Sequence, residues 1–196
     1  MGLAASPGDH FTAVRSPASL LTERLRLRRP RLSDCAAIFE EYAADPEATR
    51  YLAWTPHRSI ADTRAFLERQ LEIEAAGGER SWMITRRDED RAIGVIGCIF
   101  DAHAVSLGYV LGRQHWNRGY ATEGGRAVLA WALALPATRR VWAVCDVDNV
   151  ASRRVMEKLG MEREGLLRRW SVHPNLSKEP RDCFVYSRIR DAPARR

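Results

Sequence analysis

Val105-Ser106-Leu107-Gly108-Tyr109-Val110-Leu111, then Trp116-Asn117-Arg118-Gly119-Tyr120-Ala121, then a helix opening at about Thr122: the fold turns on this run. The first segment is apolar and extended and reads as a strand. The last continues from Ala121 to Leu135 as a long helix that stops before Pro136. A loop that opens a helix presents unpaired backbone N–H groups and the positive end of the helix dipole, a ready site for a phosphate or pyrophosphate. Gly119 has no Cβ to hold an anion off the backbone, Ala121 keeps the loop small, and Arg118 can add charge-assisted bonds. Taken alone, Arg-Gly-x-Ala before a helix is a weak signal, because many glycine turns precede helices.

The flanking sequence alternates between strand and helix signals. Leu21 to Arg28 alternates Leu21, Leu25 and Leu27 against Thr22, Arg26 and Arg28, and Pro30 ends it as a strand. Leu32 to Ala44 reads as a helix capped by Ser33 or Asp34, and Ser59 to Ala76 as a second helix stopped by Gly77-Gly78. Arg80–Arg86, Ala92–Phe100 and Val105–Leu111 are strands joined by short polar links, which suggests an antiparallel meander. After the helix Ala121–Leu135 come a strand Val141–Val147, a helix Ala151–Leu159 with Gly160 as its stop, and strands Leu166–His173 and Cys183–Ile189. The order implies an α/β domain with one central mixed sheet of about seven strands and about four helices.

At 196 residues with 45% hydrophobic content, the chain suits one domain and one core. Residues 1–20 read as a flexible tail, 21–190 as the domain and 191–196 as a short C-terminal tail. Gly2 and Ser6 match a myristoylation pattern, though small residues abound throughout and the tail reading is preferred. No run of about 18 apolar residues is present for a membrane span, and the N-terminus is not built like a secretory signal. Cys35, Cys98, Cys145 and Cys183 are far apart, which suits free thiols and a cytoplasmic protein. No group of residues has metal-ligand spacing, so no metal is expected. The formal charge of +6 comes almost wholly from arginine, since Lys158 and Lys178 are the only lysines. The arginines are scattered, which argues against a nucleic-acid stripe and remains compatible with a polyanionic ligand.

Trp116-Asn117-Arg118-Gly119-Tyr120-Ala121-Thr122-Glu123 resembles motif A of GNAT N-acetyltransferases, in the form of the RimJ/RimL-like branch that acetylates ribosomal proteins. The general pattern begins with Gln or Arg, where this chain has Trp116. The run from Asn149 through Ser152 to Glu157-Lys158-Leu159-Gly160-Met161 resembles the family's motif B. Leu21-Thr22-Glu23-Arg24-Leu25-Arg26-Leu27-Arg28 also resembles this branch, and the likeness spans about Leu21 to Ile189.

The resemblance implies a sheet splayed in its middle, with acetyl-CoA as cosubstrate and its pantetheine arm lying between two parallel strands. Tyr109, Val110 and Leu111 would bond that arm through their backbone, with one N–H aimed at the thioester oxygen. Trp116 to Thr122 would hold the pyrophosphate, and Asn149 would contact the coenzyme arm. Ser152 would hydrogen-bond the departing thiolate, serve as an ordinary helix N-cap, or do both. His173 is the candidate general base because its ordinary pKa lies near neutrality. Trp54, with Pro56 beside it, falls where the family places a lid over the acceptor, and core packing suits Trp54 at least as well. Glu123 is read as a partner of the helix dipole, Tyr186 as a core or strand-edge hydrogen bonder, and Cys145 as a buried thiol.

The leading function is therefore acetyl transfer to an amine, either a protein N-terminal α-amine or a small-molecule amine, with a homodimer compatible. A coenzyme A-binding regulatory module without catalysis, and a basic nucleic-acid-binding domain, are the alternatives from other classes.

Overall fold

The computed structural model describes residues 16–77 and 79–190. The myristoylation pattern at Gly2 and Ser6, the helix stop at Gly78 and the C-terminal tail lie outside the described residues. Among the described residues, one sheet of eight strands organises the fold, in the order β1-β2-β3-β4-β5-β6-β8-β7. The strands are β1 (Ser19–Leu21), β2 (Leu25–Arg28), β3 (Glu79–Arg86), β4 (Ala92–Asp101), β5 (Ala104–Leu111), β6 (Arg140–Asp146), β7 (Glu162–Ser171) and β8 (Arg181–Ile189). The helices are α1 (Cys35–Ile38), α2 (Ile60–Ala75), α3 (Tyr120–Ala134) and α4 (Val150–Lys158).

The strand count exceeds the expected seven because Leu21–Arg28 is a hairpin rather than one strand. Ser19 pairs with Arg28 across it, and the Thr22 N–H donates to the Leu25 carbonyl at 3.0 Å. The bend is held from outside. The Glu123 carboxylate, in the first turn of α3, accepts from the Thr22 hydroxyl at 2.6 Å and from the Arg24 N–H at 2.8 Å. Sheet pairing thus begins at Ser19, inside the stretch read as a tail.

The segment Leu32–Ala43 winds first as a 3-10 turn, then as α1, then as a π turn over Phe39–Ala43. Neither Ser33 nor Asp34 caps it in the expected way. Asp34 instead accepts the Arg31 N–H at 2.9 Å and is buried against the Arg28 guanidinium. Ser59 does cap α2, accepting from the Asp62 N–H while Asp62 returns the bond.

The period of two along the strands sorts the core into two layers. Trp82, Ile84, Leu107 and Leu111 join Leu25, Leu27, Val128, Leu129 and Met156 on the side covered by α3 and α4. Met83 and Val110 face the other way, toward Ile38, Tyr42 and Leu67 from α1, the π turn and α2. Each fully buried Leu, Ile or Met contributes roughly 1.5–3 kcal/mol of transfer free energy. Cys35, Cys98, Cys145 and Cys183 are all buried free thiols.

The sheet's one parallel pair is β5 with β6, and it is short. Ala104, Val105 and Ser106 pair with Arg140, Val141 and Trp142, and there the register ends. Beyond it the strands keep only their outer partners: Leu107–Leu111 stays on β4, and Ala143–Asp146 stays on β8. The sheet is splayed in its middle.

Candidate functional site

A cavity of about 670 Å³ occupies the splay. One wall is Leu107, Gly108, Tyr109, Val110 and Leu111 of β5, and the facing wall is Ala143, Val144, Cys145 and Asp146 of β6. Among the described residues, the carbonyl and N–H groups of these stretches that point inward have no strand opposite them. Such edges can pair with any extended group that carries amides.

At one end the cavity meets the N-terminus of α3. Gly119 stands at its N-cap with φ +79°, and no side chain caps the helix. The first turn therefore offers its N–H groups to whatever lies in front of it. The loop before it is braced by the Trp116 indole, which donates to the Leu111 carbonyl at 2.8 Å, and by Asn117 at φ +59°. Trp116, Asn117, Gly119, Tyr120, Ala121 and Thr122 all line the cavity; Arg118 is exposed and does not. Positive charge comes from α4, where Arg154 and Lys158, four residues apart and so on one helical face, line the same cavity. Arg24 sits above the loop, packed over the Tyr120 ring at 4.8 Å and paired with Glu123 at 2.6 Å. Burial pushes the Glu123 carboxyl up, but the bonds from Thr22 and Arg24 outweigh it and hold the group below its ordinary range.

Asn149 and Ser152 both line the cavity. Asn149 is the N-cap of α4, its side chain accepting from the Ser152 N–H at 3.0 Å. Ser152 is thus not the cap. Its hydroxyl lies 2.8 Å from the Tyr109 phenol.

The far end is lined by Glu47, Ala48, Tyr51, Leu52, His173 and Cys183. His173 follows β7 two residues beyond its end and is buried. Its Nε2 is 3.7 Å from the buried Asp146 carboxylate and 3.9 Å from the Cys183 sulfur. Its Nδ1 makes no hydrogen bond of normal geometry, although the Tyr51 backbone lies close enough to favour the protonated ring. Burial dominates and lowers the His173 pKa, with Asp146 opposing it. Asp146 is itself held by Arg181, whose Nε and Nη2 donate at 2.6 and 3.1 Å. Burial raises the Asp146 pKa, yet the Arg181 bonds prevail and hold it below its ordinary value.

Trp54 is not on the cavity wall. It stacks on His57 at 4.8 Å and packs on Phe66 at 5.5 Å, inside the apolar layer under α2. From the same segment Tyr51 and Leu52 reach the cavity instead. The Asn175 amide donates to the carbonyls of Thr49 and Trp54 at 2.7 and 2.9 Å, tying this segment to the loop after β7. Burial lifts the Cys145 and Cys183 thiols to about 11 each, so neither is a ready nucleophile at neutral pH. Tyr186 is buried and donates to Glu157 at 3.2 Å. Among the described residues, no group of His, Cys, Asp and Glu could hold a metal ion, and no helix is long and apolar enough to cross a membrane.

Residues 24–162 match the family model for the acetyltransferase (GNAT) domain. The uncharacterized N-acetyltransferase YoaA of Bacillus subtilis (strain 168) is 31% identical over 174 residues, covering 87% of this chain and 96% of its own length. The crystal structure of a GNAT-family acetyltransferase from Bacillus anthracis is similar with a TM-score of 0.75 and 28% identity, over 88% of this chain and 98% of that one. The ribosomal L7/L12 α-N-protein acetyltransferase RimL, solved with coenzyme A, is similar in fold with a TM-score of 0.77 and 22% identity, over 90% of this chain and 98% of that one.

Proposed function

The chain belongs to the GNAT family of acetyltransferases, and from that premise we propose that acetyl-CoA occupies the splay between β5 and β6 and gives its acetyl group to an α-amine. The carrying observation is the continuity of one cavity from the uncapped, glycine-led start of α3, along two unpaired strand edges, to a buried histidine. Those residues suit a ligand with a pyrophosphate at one end and an amide-bearing arm. The first turn of α3 would hold the phosphates, with Arg154 and Lys158 adding charge. The inward edge of Tyr109–Leu111 would bond the arm.

Acetyl-CoA supplies an activated thioester: the amine forms the C–N bond, the C–S bond breaks, and the sulfur leaves as thiolate. A backbone N–H of β5 aimed at the carbonyl oxygen, and the Ser152 hydroxyl beside the sulfur, would stabilise the charge that develops. His173, neutral at pH 7 because burial lowers its pKa, would take the proton from the amine. Protonated cysteines along the wall favour direct attack over a covalent acyl-cysteine route. Residues 19–190, from the start of β1, form the single catalytic domain in this reading.

Ser152→Ala is expected to lower kcat about tenfold while changing KM for acetyl-CoA little. The cap bond to Asn149 uses the Ser152 backbone N–H, which alanine keeps, so thermal stability should hardly move. Normal kcat would remove Ser152 from the chemistry.

The acceptor follows from how much amine is free to attack. An alkylamine of pKa about 10.4 is only ~1 part in 2,500 neutral at pH 7, whereas an α-amine near 7.7 is roughly one-sixth neutral. Deprotonation at pH 7 costs about 4.6 kcal/mol for the first and about 1 kcal/mol for the second. Alkylamine acetylation therefore demands a strong base, and a histidine with a lowered pKa is a weak one. A protein N-terminus of the RimJ/RimL type, or a small molecule with an α-amine, fits better. His173→Ala should keep measurable activity on a peptide N-terminus, with kcat/KM rising with pH toward the acceptor's own pKa. In the wild type the acid limb that reports His173 should lie below 6.5, since its pKa is depressed. A wild type that acetylates only side-chain-type amines, together with a mutant inactive even at high pH, would overturn the α-amine preference. The deciding experiment is an acceptor screen that follows thiol release from acetyl-CoA. Tight coenzyme binding with no turnover on any amine would favour the regulatory-module reading.

A further inference from the structure

The alternation along β5 turns Tyr109 to the α4 side of the sheet, where its ring packs on the core and its hydroxyl meets Ser152. Both residues line the cavity. The phenol oxygen is 2.8 Å from Ser152 Oγ and 3.1 Å from the Ser152 carbonyl oxygen. We infer that Tyr109 is a positioning residue for Ser152: its phenol fixes Oγ at the cavity wall and, by donating to Oγ, frees the serine proton to point at the leaving sulfur. The inference rests on the assignment of Ser152 to the thiolate, and it adds a side-chain role to a residue otherwise assigned only backbone bonds.

The geometry allows two proton arrangements, because a phenol carries one proton and two acceptors face it. In the first, the phenol donates to the Ser152 carbonyl and the serine hydroxyl donates back to the phenol oxygen, so that hydroxyl is spent inside the pair. In the second, the phenol donates to Oγ, the shorter of the two contacts, and the serine hydrogen is released toward the cavity. Negative charge growing on a sulfur in front of Ser152 favours the second, since a bond to an anionic acceptor is roughly twice as strong as a neutral one. The phenol bond in turn polarises the serine and strengthens its donation.

The proton goes no further along this chain. Burial raises the Tyr109 pKa well above its ordinary value, so a tyrosinate left behind would be costly. Ser152 keeps its proton, the sulfur departs as a hydrogen-bonded thiolate, and it takes a proton from solvent on release. Tyr109 and Ser152 together form a donor and not an acid.

A double-mutant cycle on the full chain tests this, with kcat and KM for acetyl-CoA measured on an acceptor from the screen. Tyr109→Phe keeps the ring and removes only the hydroxyl. It should lower kcat about fivefold to tenfold, leave KM within about twofold, and leave the melting temperature nearly unchanged. The double variant Tyr109→Phe with Ser152→Ala should be no slower than Ser152→Ala alone. Unchanged kcat in Tyr109→Phe overturns the inference, as does a double variant whose loss is the product of the two single losses, or a fall in kcat that tracks loss of folded protein. If Ser152→Ala alone has normal kcat, the Ser152 assignment fails. A slow Tyr109→Phe on that background would make the phenol a direct donor and overturn its positioning role as well.

Discussion

Gly119→Val should weaken acetyl-CoA binding by roughly tenfold to a hundredfold, about 1.4–2.8 kcal/mol, as read by titration calorimetry. The cause is backbone and not crowding within the protein. Gly119 stands at φ +79°, where a Cβ costs roughly 1–2 kcal/mol and a β-branched residue more. The nearest atom to an added Cβ is the Arg24 Nη2 at 3.4 Å, the far end of a flexible side chain. Valine can therefore be accommodated only by strain or by rotating the loop. Rotation re-aims the first N–H groups of α3, and strain without rotation leaves branched methyl groups where a phosphate would approach. Either way the phosphates lose bonds, while the core, which Gly119 does not join, stays formed. Gly119→Ala should fall between. An affinity equal to the wild type's would overturn the assignment of this loop to the pyrophosphate.

Asp34→Ala should be the most damaging single change to stability among those considered, at about 3 kcal/mol. Arg28 and Asp34 have side chains only 3% and 6% exposed, joined by bonds of 2.9 and 2.7 Å. Removing one partner of a buried pair typically costs about 3–5 kcal/mol, because the other charge is left in a poor solvent. The lower end applies because Arg28 also bonds the carbonyls of Arg29 and Asp90, and the Asp90 carboxylate. Asp34→Ala further deprives the Arg31 N–H of its acceptor at the entry to α1. Denaturant unfolding monitored by tryptophan fluorescence would read the loss. A change under about 1 kcal/mol would mean that Asp90 alone neutralises the guanidinium.

The strand β5, the loop and α3 were legible because their signals are local. Glycine before a helix, small residues around it and an apolar run on each side need no distant partner to be read. The same holds for α4, with Gly160 just past its end at φ +72°. The misread parts depend on partners far along the chain. The hairpin between β1 and β2 carries Thr22-Glu23-Arg24 at its bend, with no Gly, Pro or Asn to betray it, and is held by Glu123, 99 residues after Arg24. Asp34 looks like a helix cap until Arg28 folds against it. Position alone leaves Trp54 open between a lid and core packing, and its contacts with His57 and with Phe66 of α2 place it in the core layer. The meeting of Tyr109 with Ser152 joins residues 43 apart and carries no pattern at all. Arg154 and Lys158 had a readable signal, their four-residue spacing, but scattered arginines obscured it.

The brevity of the β5–β6 pairing has one more consequence, for what the molecule must avoid. Backbone groups without a strand beside them attract other extended chains, and proteins commonly guard the rim of a sheet against such visitors. Here two adhesive edges face each other in the interior, roofed on one side by α3 and α4 and flanked by the loops that Asn175 ties together. A polypeptide strand from a neighbour carries side chains above and below its plane and would collide with those helices. A slender chain of amides, with fewer and smaller side groups, would fit. The same narrowness that would suit the proposed coenzyme arm would thus also keep an unfinished sheet from recruiting its neighbours.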